Sequence, residues 1–346
     1  MTAAAPEAIL RVLSAGPGAT LQDGGRHGYL RFGVTAAGPM DRLAHAAANL
    51  AVGNPAGATA LEVSVGGVEV TARSAPLHVA VAGGEFSLSL DGRPLPPATV
   101  LNLDEGVVLR IRAGGGGSWC YLAVAGRFIV PKVLGSHATH TRTGFGGVNG
   151  RAVAAGDCLG IEPSGSSAPS PGAIIAPWLD RPIDAVRVVL GPQQDYFADD
   201  QISAFLAGPW TVSAKGDRMA CFLDGPRLTH IRGYNIVSDG IAMGAIQVPG
   251  DGRPIVLMAD RQSTGGYPKI ATVIGPDLGR LAQARPGTSF SFEAVSIAQA
   301  VAARREEAAM LARRIVAEPL LRTHFASEFL LGLNLIGGVV GLDPPA

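Results

Sequence analysis

The feature that most constrains the fold of this chain is a succession of short runs in which apolar and polar residues alternate. Residues 61–72 alternate around a Gly66-Gly67 break, and residues 86–90 alternate up to Asp91-Gly92, a dipeptide typical of tight hairpin turns. The 346 residues include 47 glycines and 25 prolines without a G-X-Y period, enough to end many strands. The pattern therefore predicts a mainly β protein built from short strands.

The chain is long enough for two domains, because single hydrophobic cores stop growing near ~250–300 residues. A first set of strand-like runs extends to residue 125, and a second set begins at residue 186. Between them, residues 163–177 are small, polar and proline-rich, as linkers are. We predict an N-terminal β domain at 1–165, a linker at 166–182, a C-terminal β domain at 183–295 and a C-terminal helix with an apolar tail at 296–346.

Two helices are indicated by their end signals. Pro39 and Met40 open the first, which Gly53 closes, and Asp41, His45 and Asn49 would share one of its faces. The second helix is predicted from Ser296 to about residue 318, before a proline. The apolar tail that follows either forms a surface for a partner or packs back on its own chain.

The charge balance excludes some classes of partner. Lysine plus arginine and aspartate plus glutamate each number 28, so no basic footprint for nucleic acid is present. The longest late apolar run, 329–341, is shorter than the ~20 residues of a membrane-spanning helix. Three widely spaced cysteines and an N-terminus without a signal-peptide pattern predict a cytoplasmic protein.

Several well-known motifs are missing. The sequence has no P-loop, no dinucleotide-binding glycine motif, no HExxH and no GxSxG. His137 and His140 have the spacing of metal ligands but no third ligand nearby, so no metal site is predicted. None of the three lysines has a methionine beside it, so any biotin would be carried by another chain.

Two glycine-rich segments of the first half carry polar residues. In residues 16–28, glycines expose backbone amides, and Asp23 and Arg26 either pair with each other or leave Arg26 to hold a carboxylate. The second segment is Gly38-Pro-Met-Asp41, followed by Asn49. The carboxylate of Asp41 either belongs to a functional site or only stabilises the helix by its interaction with the positive end of the helix dipole.

Two further segments lie in the second half. Asp217 and Arg218 either form an ion pair within a turn or serve a site, and Asp239-Gly240 is either a hairpin turn or functional. In residues 254–267 (PIVLMADRQSTGGY), an apolar strand ends in Asp260, Arg261 and Gln262, followed by a turn containing Gly265 and Gly266. Such polar groups at a strand end suit the binding of a small polar ligand.

The chain resembles a known family in six stretches, which include these segments: 16–41 (GPGATLQDGGRHGYLRFGVTAAGPMD), 48–62, 134–157, 191–197, 238–249 and 254–267. The family is that of the 5-oxoprolinase C subunits, also described as biotin-dependent carboxyltransferase or allophanate hydrolase subunit 2-like proteins. One departure is visible: residues 216–220 read Gly-Asp-Arg-Met-Ala where the family usually has Ser-Asp-Arg-Met-Gly.

The resemblance implies two cyclophilin-like β-barrel domains and a hetero-oligomer with a B subunit, joined by an A subunit in the case of 5-oxoprolinase. The implied reaction is ATP-dependent opening of 5-oxoproline to glutamate, with ATP and Mg²⁺ acting at the level of the complex. A first alternative is the carboxyltransferase subunit of a urea or amide carboxylase, with biotin supplied in trans. A second alternative is a non-catalytic regulator that binds its partner.

The same resemblance gives the polar segments roles on a small amide substrate. Asp260, Asp41, Arg218 and Asp239 are the candidate catalytic residues, with carboxylates accepting N–H groups and arginines balancing a substrate carboxylate or an oxyanion. The candidate substrate-binding residues are Asp23, Arg26, Gln262, Gly265, Gly266 and Asn49. We expect Asp260 and Arg218 to converge on one cleft that a second polypeptide completes.

Overall fold

The structure is a computed structural model that describes residues 8–164, 170–312 and 315–318. The N-terminus and the apolar tail beyond residue 318, on which two of the predictions above fall, lie outside the described residues. None of the described helices has the length and apolar character that crossing a bilayer would require.

Short strands form most of the regular structure, as the alternating pattern predicts. The strands of the first half are β1 (Ala8–Ala15), β2 (Thr20–Gln22), β3 (Ala60–Ser64), β4 (Val68–Arg73), β5 (Leu77–Gly83), β6 (Ser87–Leu90), β7 (Arg93–Leu95), β8 (Thr99–Leu103), β9 (Val108–Arg112), β10 (Trp119–Val124), β11 (Gly126–Phe128), β12 (Cys158–Pro163) and β13 (Gly172–Ile175). Those that follow are β14 (Ala185–Leu190), β15 (Trp210–Val212), β16 (Ala220–Asp224), β17 (Asp239–Gly240), β18 (Ala245–Gln247), β19 (Ile255–Leu257), β20 (Thr264–Gly265), β21 (Lys269–Val273), β22 (Ser289–Ala294) and β23 (Val316–Glu318). The described helices are α1 (Arg42–Ala51), α2 (Asp199–Ala207), α3 (Gly275–Gln283) and α4 (Ile297–Leu311).

The first half consists of two seven-stranded sheets, in the orders β11-β12-β1-β4-β9-β6-β7 and β2-β3-β10-β5-β8-β13-β23. Their facing sides enclose one apolar core, to which β1, β4, β5 and β10 contribute Leu10, Val70, Val79 and Leu122. Helix α1 covers the other side of the second sheet, where its alanines pack against Ala80, Ala82 and Tyr121. Both sides of this sheet are therefore buried around β3 and β10.

The second half closes into a barrel of strand order β14-β21-β18-β19-β16-β15-β22. Closure occurs because β14 pairs in parallel with β22 while its other edge pairs with β21. Trp210, Phe205, Phe290 and Phe292 fill part of the barrel core. Met40 from the first half is also buried in this core, so the two halves share apolar packing as well as polar contacts.

The local predictions for turns and for the first helix are confirmed. Residues 61–72 form β3 and β4 around the Gly66-Gly67 turn, and Asp91-Gly92 joins β6 to β7 with both residues at positive φ. Helix α1 begins after Asp41 and ends before Gly53, where a positive φ of 78° favours glycine. The mainly β class is likewise confirmed.

Three elements differ from the sequence expectation. Part of the predicted linker forms β13, because its apolar residues pair with β8 at the edge of the second sheet. The last helix ends at Leu311 rather than near residue 318, and residues 316–318 form β23, which pairs with β13. Asp239 and Gly240, expected to form a hairpin turn or to be functional, instead form strand β17, which pairs with β20 in a two-stranded ribbon.

Candidate active site

The strand pairing of the barrel places Arg218 beside Asp260. Strands β16 and β19 are antiparallel, with Ala220 opposite Leu257, so the start of β16 adjoins the end of β19. The ladder is extended by the amide of Asp260, which donates to the carbonyl oxygen of Arg218 at 2.9 Å, and by that of Met258, which donates to Met219 at 2.8 Å. Both side chains therefore leave the barrel at the same rim.

The guanidinium of Arg218 connects the two halves. Its Nε and Nη2 donate to the two carboxylate oxygens of Asp260 at 2.8 and 2.9 Å. On the other side, it donates to the carboxylate of Glu62 and, at 2.8 Å, to the carbonyl oxygen of Gly38. Burial by itself would lower the pKa of Arg218, but Glu62 and Asp260 together raise it above its usual value.

Glu62 is fully buried in β3 and extends the network into the first half. Its Oε2 accepts from the amide of Met40 at 2.8 Å and from the hydroxyl of Tyr121 at 2.9 Å. The Tyr121 hydroxyl in turn accepts from the amide of Asp41 at 2.8 Å. Burial raises the pKa of Glu62 despite its contact with Arg218, since one guanidinium is shared between two buried carboxylates.

Two pockets meet at this network. The larger, of about 660 Å³, lies between the halves and has apolar walls that include Met40, Trp119 and Leu281. The smaller, of about 290 Å³, is lined by more polar residues. Asp260, Met219 and Arg142 line both pockets. The carboxylate of Asp260 therefore lies at the junction of an apolar cleft and a polar recess.

The smaller pocket brings together His140, Arg261 and Gln262. Burial lowers the pKa of His140, so its imidazole is neutral at pH 7, and Nδ1 accepts from the amide of Thr143 at 3.3 Å. Burial also lowers the pKa of Arg261 to about 10, which leaves it protonated at neutral pH. Gln262 is exposed at the rim.

At the mouth of both pockets, Arg142 of the first half pairs with Asp217 of the second at 3.1 Å. Both side chains are more than half exposed, so this ion pair is weak and either partner is available to a ligand.

Two of the four candidate catalytic residues lie elsewhere. Asp41 caps α1 and bonds to Arg181 at 2.6 Å and to Gln283 at 2.9 Å, facing a different pocket. Asp239 is exposed in the β17–β20 ribbon and pairs with Lys269 at 2.7 Å. The structure thus brings together Arg218 and Asp260, links Asp41 to them only through Tyr121 and Glu62, and leaves Asp239 outside both pockets.

The glycine-rich segment at 16–28 anchors the loop that carries His140. Asp23 accepts from the Ser136 hydroxyl at 2.5 Å and the His137 amide at 2.7 Å, and these bonds lower its pKa despite burial. Arg26 does not pair with Asp23; it donates to the carbonyl oxygen of Ala138 and stacks 4.7 Å above the Phe145 ring.

Three candidate substrate-binding residues are engaged by the protein itself. Asn49 is fully buried and donates to the carbonyl oxygens of Ala58 and His45 at 2.9 and 3.2 Å. A Cβ on Gly265 would lie 2.5 Å from the side-chain amide nitrogen Nε2 of Gln247, so a side chain there would displace Gln247. The carbonyl oxygen of Gly266 accepts from the amide of Ile236 at 2.8 Å.

The sequence reasoning missed Glu62, Tyr121, His140 and Arg142 as members of this region. Glu62 had a detectable signal, because a carboxylate in an otherwise apolar strand must find a partner when the strand is buried. The partners themselves come from residues 22 to 156 positions away in the chain, which no local pattern specifies.

Among the described residues, no group of three or more His, Cys, Asp or Glu side chains is arranged to hold a metal ion. The two histidines with H-x-x-H spacing have other contacts. His137 bonds to the hydroxyl of Thr59 at 2.7 Å, and His140 stacks on Phe145.

A two-sheet half joined to a barrel, with a buried arginine–carboxylate network between them, defines a paired-subdomain architecture. The family model described as "Carboxyltransferase domain, subdomain A and B" matches residues 32–294, and the chain belongs to that family. The family resemblance inferred from the sequence is thereby confirmed.

Individual relatives are similar over most of the chain. The 5-oxoprolinase C subunit of Haemophilus influenzae is 37% identical over 314 residues, covering 90% of this chain and 99% of that protein. The Escherichia coli protein of the same name is 36% identical over 300 residues, covering 86% and 95%. The crystal structure of urea amidolyase from Kluyveromyces lactis has a TM-score of 0.83 at 27% identity; the match covers 95% of this chain but 21% of that one.

Proposed function

We propose that this chain is the C subunit of an ATP-dependent 5-oxoprolinase, an amide-directed hydrolase that opens 5-oxoproline to glutamate together with a B subunit. The observation that carries the proposal is the carboxylate of Asp260, held at both oxygens by Arg218 at the junction of two pockets. The two relatives named as 5-oxoprolinase C subunits, which match at least 86% of this chain, support the choice of substrate.

In this proposal, Asp260 accepts the lactam N–H of the substrate. Its two oxygens are fixed by a guanidinium that also contacts Glu62 and Gly38, so the carboxylate has little freedom to turn away. Arg218 is a positioning residue, because its donors are already used by protein acceptors. Fixing a group before the substrate arrives reduces the reorganisation that the reaction requires.

The polar recess supplies the remaining contacts. Arg142 is exposed at the mouth and can exchange Asp217 for the substrate carboxylate. With Nδ1 of His140 accepting from Thr143, the neutral ring carries its proton on Nε2, from which it can donate to the lactam carbonyl oxygen. A neutral imidazole that donates a hydrogen bond, His140, and a fixed cation, Arg261, in one recess suit a reaction in which negative charge develops on oxygen.

ATP with Mg²⁺ belongs to the proposed complex as a whole, where it would activate the lactam carbonyl. The partners are a B subunit and, in a three-subunit form, an A subunit, and the resulting assembly is a hetero-oligomer. The support is the C-subunit name of two relatives that match over nearly their full length. The proposed location is the cytoplasm, consistent with three cysteines that are all unpaired in the structure.

The test is an ATPase assay of the purified complex with 5-oxoproline. We expect Asp260→Asn to lower the 5-oxoproline-dependent rate by ~10²-fold or more, as misplacement of a bound substrate does. The matched control is Asp224→Asn, an exposed carboxylate at the far end of β16 that pairs with Arg253, for which we expect less than about a threefold change. The complex must elute intact with both variants.

Two results would contradict this proposal. If the complete wild-type complex has no 5-oxoproline-dependent ATP hydrolysis, the substrate is wrong and a non-catalytic regulator gains support. If Asp260→Asn retains full activity in an intact complex, the cleft is not the site.

A second candidate is the carboxyltransferase subunit of a biotin-dependent urea or amide carboxylase. The similarity to K. lactis urea amidolyase over 95% of this chain favours it. Biotin would then arrive on another chain. The discriminating measurement is substrate-dependent loss of carboxyl groups from free carboxybiotin, with urea and small amides as acceptors; transfer to urea without 5-oxoproline turnover would select this alternative.

A further inference from the structure

A third pocket, of about 560 Å³, lies between the halves and is lined in part by Asp41. Its walls combine the backbone of Gly115–Gly117 from the first half with α3 and the segment that precedes β14. Three arginines line it: Arg181, Arg280 and Arg285. None of them was singled out by the sequence, and the proposed reaction does not use them.

The hydrogen-bond donors of these arginines are incompletely used. Nη2 of Arg181 donates to the carboxylate of Asp41. Its Nε and Nη1 are buried and lack an acceptor among the described residues. Nε of Arg285 donates to the carbonyl oxygen of Gly117 at 2.8 Å, while its Nη2 is buried and lacks an acceptor. Within the described part of the chain, these are three of the seven buried side-chain polar atoms without a partner.

Such donors are costly to leave unpaired. A buried donor without an acceptor is destabilising, and more so when it belongs to a charged group. Arg280, by contrast, is satisfied by the carbonyl oxygen of Pro182 and by Asp277. Arg285 makes no ion pair with any described carboxylate, so its charge is open to an anion.

The surroundings also contain acids. Asp41 is committed to Arg181, Gln283 and the cap of α1. Glu85 and Asp180 line the same pocket, but both are exposed, where solvent and salt screen their charge. Apolar residues including Pro97, Leu179 and Ile183 form part of the wall. The pocket therefore offers a cationic floor, an apolar wall and a screened acidic rim.

We propose that this pocket is a binding site for a small organic anion, whose phosphate or carboxylate group contacts Arg285 and Arg181. Guanidinium groups match the geometry of such oxyanions. The volume exceeds that of an inorganic ion and falls within the usual range for small-molecule sites. Arg285 also lines the large cleft that contains Asp260, so the pocket adjoins that cleft, whereas Arg181 lines the pocket and not the cleft. The proposed anion site does not depend on the proposed reaction.

Isothermal titration calorimetry on the full chain at low ionic strength tests this site, with inorganic phosphate, citrate and ATP as separate probes. We expect at least one to bind, and Arg285→Gln to weaken that binding by about tenfold or more, equivalent to one charge-assisted hydrogen bond. Arg285→Lys should lie between the two. Arg181→Gln, which changes a residue of this pocket that does not line the cleft, should weaken the same binding; a loss with Arg285→Gln alone would place the anion in the cleft and overturn the proposal. Binding of phosphate and ATP without citrate would identify a phosphate site, and the reverse a carboxylate site.

Glu85→Gln provides a readout of opposite sign, because removing a like charge from the rim should tighten binding of the same anion. Arg110→Gln should leave the affinity unchanged, because Arg110 is an exposed arginine that pairs with Glu69 in the first sheet and does not line this pocket. Thermal unfolding of each variant without ligand verifies folding. Absence of binding of all three probes at millimolar concentration, or equal affinity in wild type and a folded Arg285→Gln variant, would overturn the proposal.

Discussion

Arg218 shows how one side chain can organise a contact between two halves of a chain. Its planar guanidinium presents donors on two edges, one to Asp260 in the barrel half and the other toward Glu62 and Gly38 in the first half. A lysine ammonium in its place would offer no such divided geometry. With two carboxylates around one cation, the cluster retains an excess of negative charge, which adds to burial in raising the pKa of Glu62.

His45 is a second buried titratable residue, and its protonation state should affect stability. It lies fully enclosed in α1, with its ring edge-on to Tyr121 at 5.4 Å, and burial lowers its pKa to about 4 from 6.5. A depressed histidine pKa means that the unfolded chain binds the extra proton between these two values. The folded state therefore loses stability as pH falls from 6.5 toward 4.

We predict that His45 contributes a loss of up to about 3 kcal/mol over this pH range, since one pKa unit corresponds to about 1.4 kcal/mol. His45→Gln should show a correspondingly flatter pH dependence in urea unfolding between pH 7 and pH 4.5. The control is His27→Gln, an exposed position on the neighbouring loop. Parallel pH profiles for wild type and His45→Gln would contradict the prediction.

At the scale of elements, the contact between α1 and α3 depends on the absence of a side chain at Gly279. A Cβ built there would lie 2.6 Å from Oδ1 of Asp41 and 3.2 Å from Nη1 of Arg181. The cap of α1, the Asp41–Arg181 ion pair and the middle of α3 thus occupy one small volume.

Gly279→Ala should therefore destabilise the protein by roughly 1–3 kcal/mol, although alanine favours helix by up to about 1 kcal/mol over glycine. The matched control is Gly275→Ala in the first turn of the same helix, where the Cβ would meet only the flexible end of Arg304. Thermal or urea unfolding of the two variants measures the difference. An increase in stability for Gly279→Ala would show that the space is larger than the structure indicates.

Elements defined by local chemistry were predictable from the sequence. Asp91-Gly92 specifies its hairpin, and Ser296 with Gln299 forms the capping box at the start of α4. The end of α4 could not be predicted, because the apolar spacing of the helix continues beyond Leu311 in the sequence. The chain instead leaves the helix, and residues 316–318 pair with β13, a partner remote in sequence. Helix α3 carries Pro276 at its start, a signal that the alternating pattern around it obscured.

The candidate site, too, was predictable only where local strand ends define it. Asp260 and Arg218 lie at the ends of adjacent strands, so their proximity follows from strand order once the barrel is known. The contacts of Glu62 required knowledge of how the halves dock. Asn49 and Gly265 could not be separated from ligand-binding residues by sequence, since polar and glycine residues serve backbone packing as readily as recognition.

At the scale of the whole molecule, the network around Arg218 should couple the unfolding of the two halves. Removing the cation leaves Glu62 and Asp260 as buried carboxylates without compensation, a loss of about 3–5 kcal/mol. Removing the charge of Glu62 still leaves the Arg218–Asp260 pair intact, so its effect should be nearer ~1 kcal/mol.

We expect one calorimetric transition for wild type and for Glu62→Gln, and two separated or broadened transitions for Arg218→Met. Trp119 in the first half and Trp210 in the barrel allow fluorescence to follow the same process. A single transition for Arg218→Met within about 3 °C of wild type would show that apolar packing such as that of Met40 is sufficient for coupling.

The pairing of β23 with β13 has a consequence for synthesis of the chain. The outer edge of the second sheet is completed by residues 316–318, which leave the ribosome only after the entire barrel half has been made. During translation, the edge of β13 lacks its final neighbour and is open to strands of other nascent chains. Slow or interrupted translation of the second half is therefore the condition under which this protein is most exposed to misassembly.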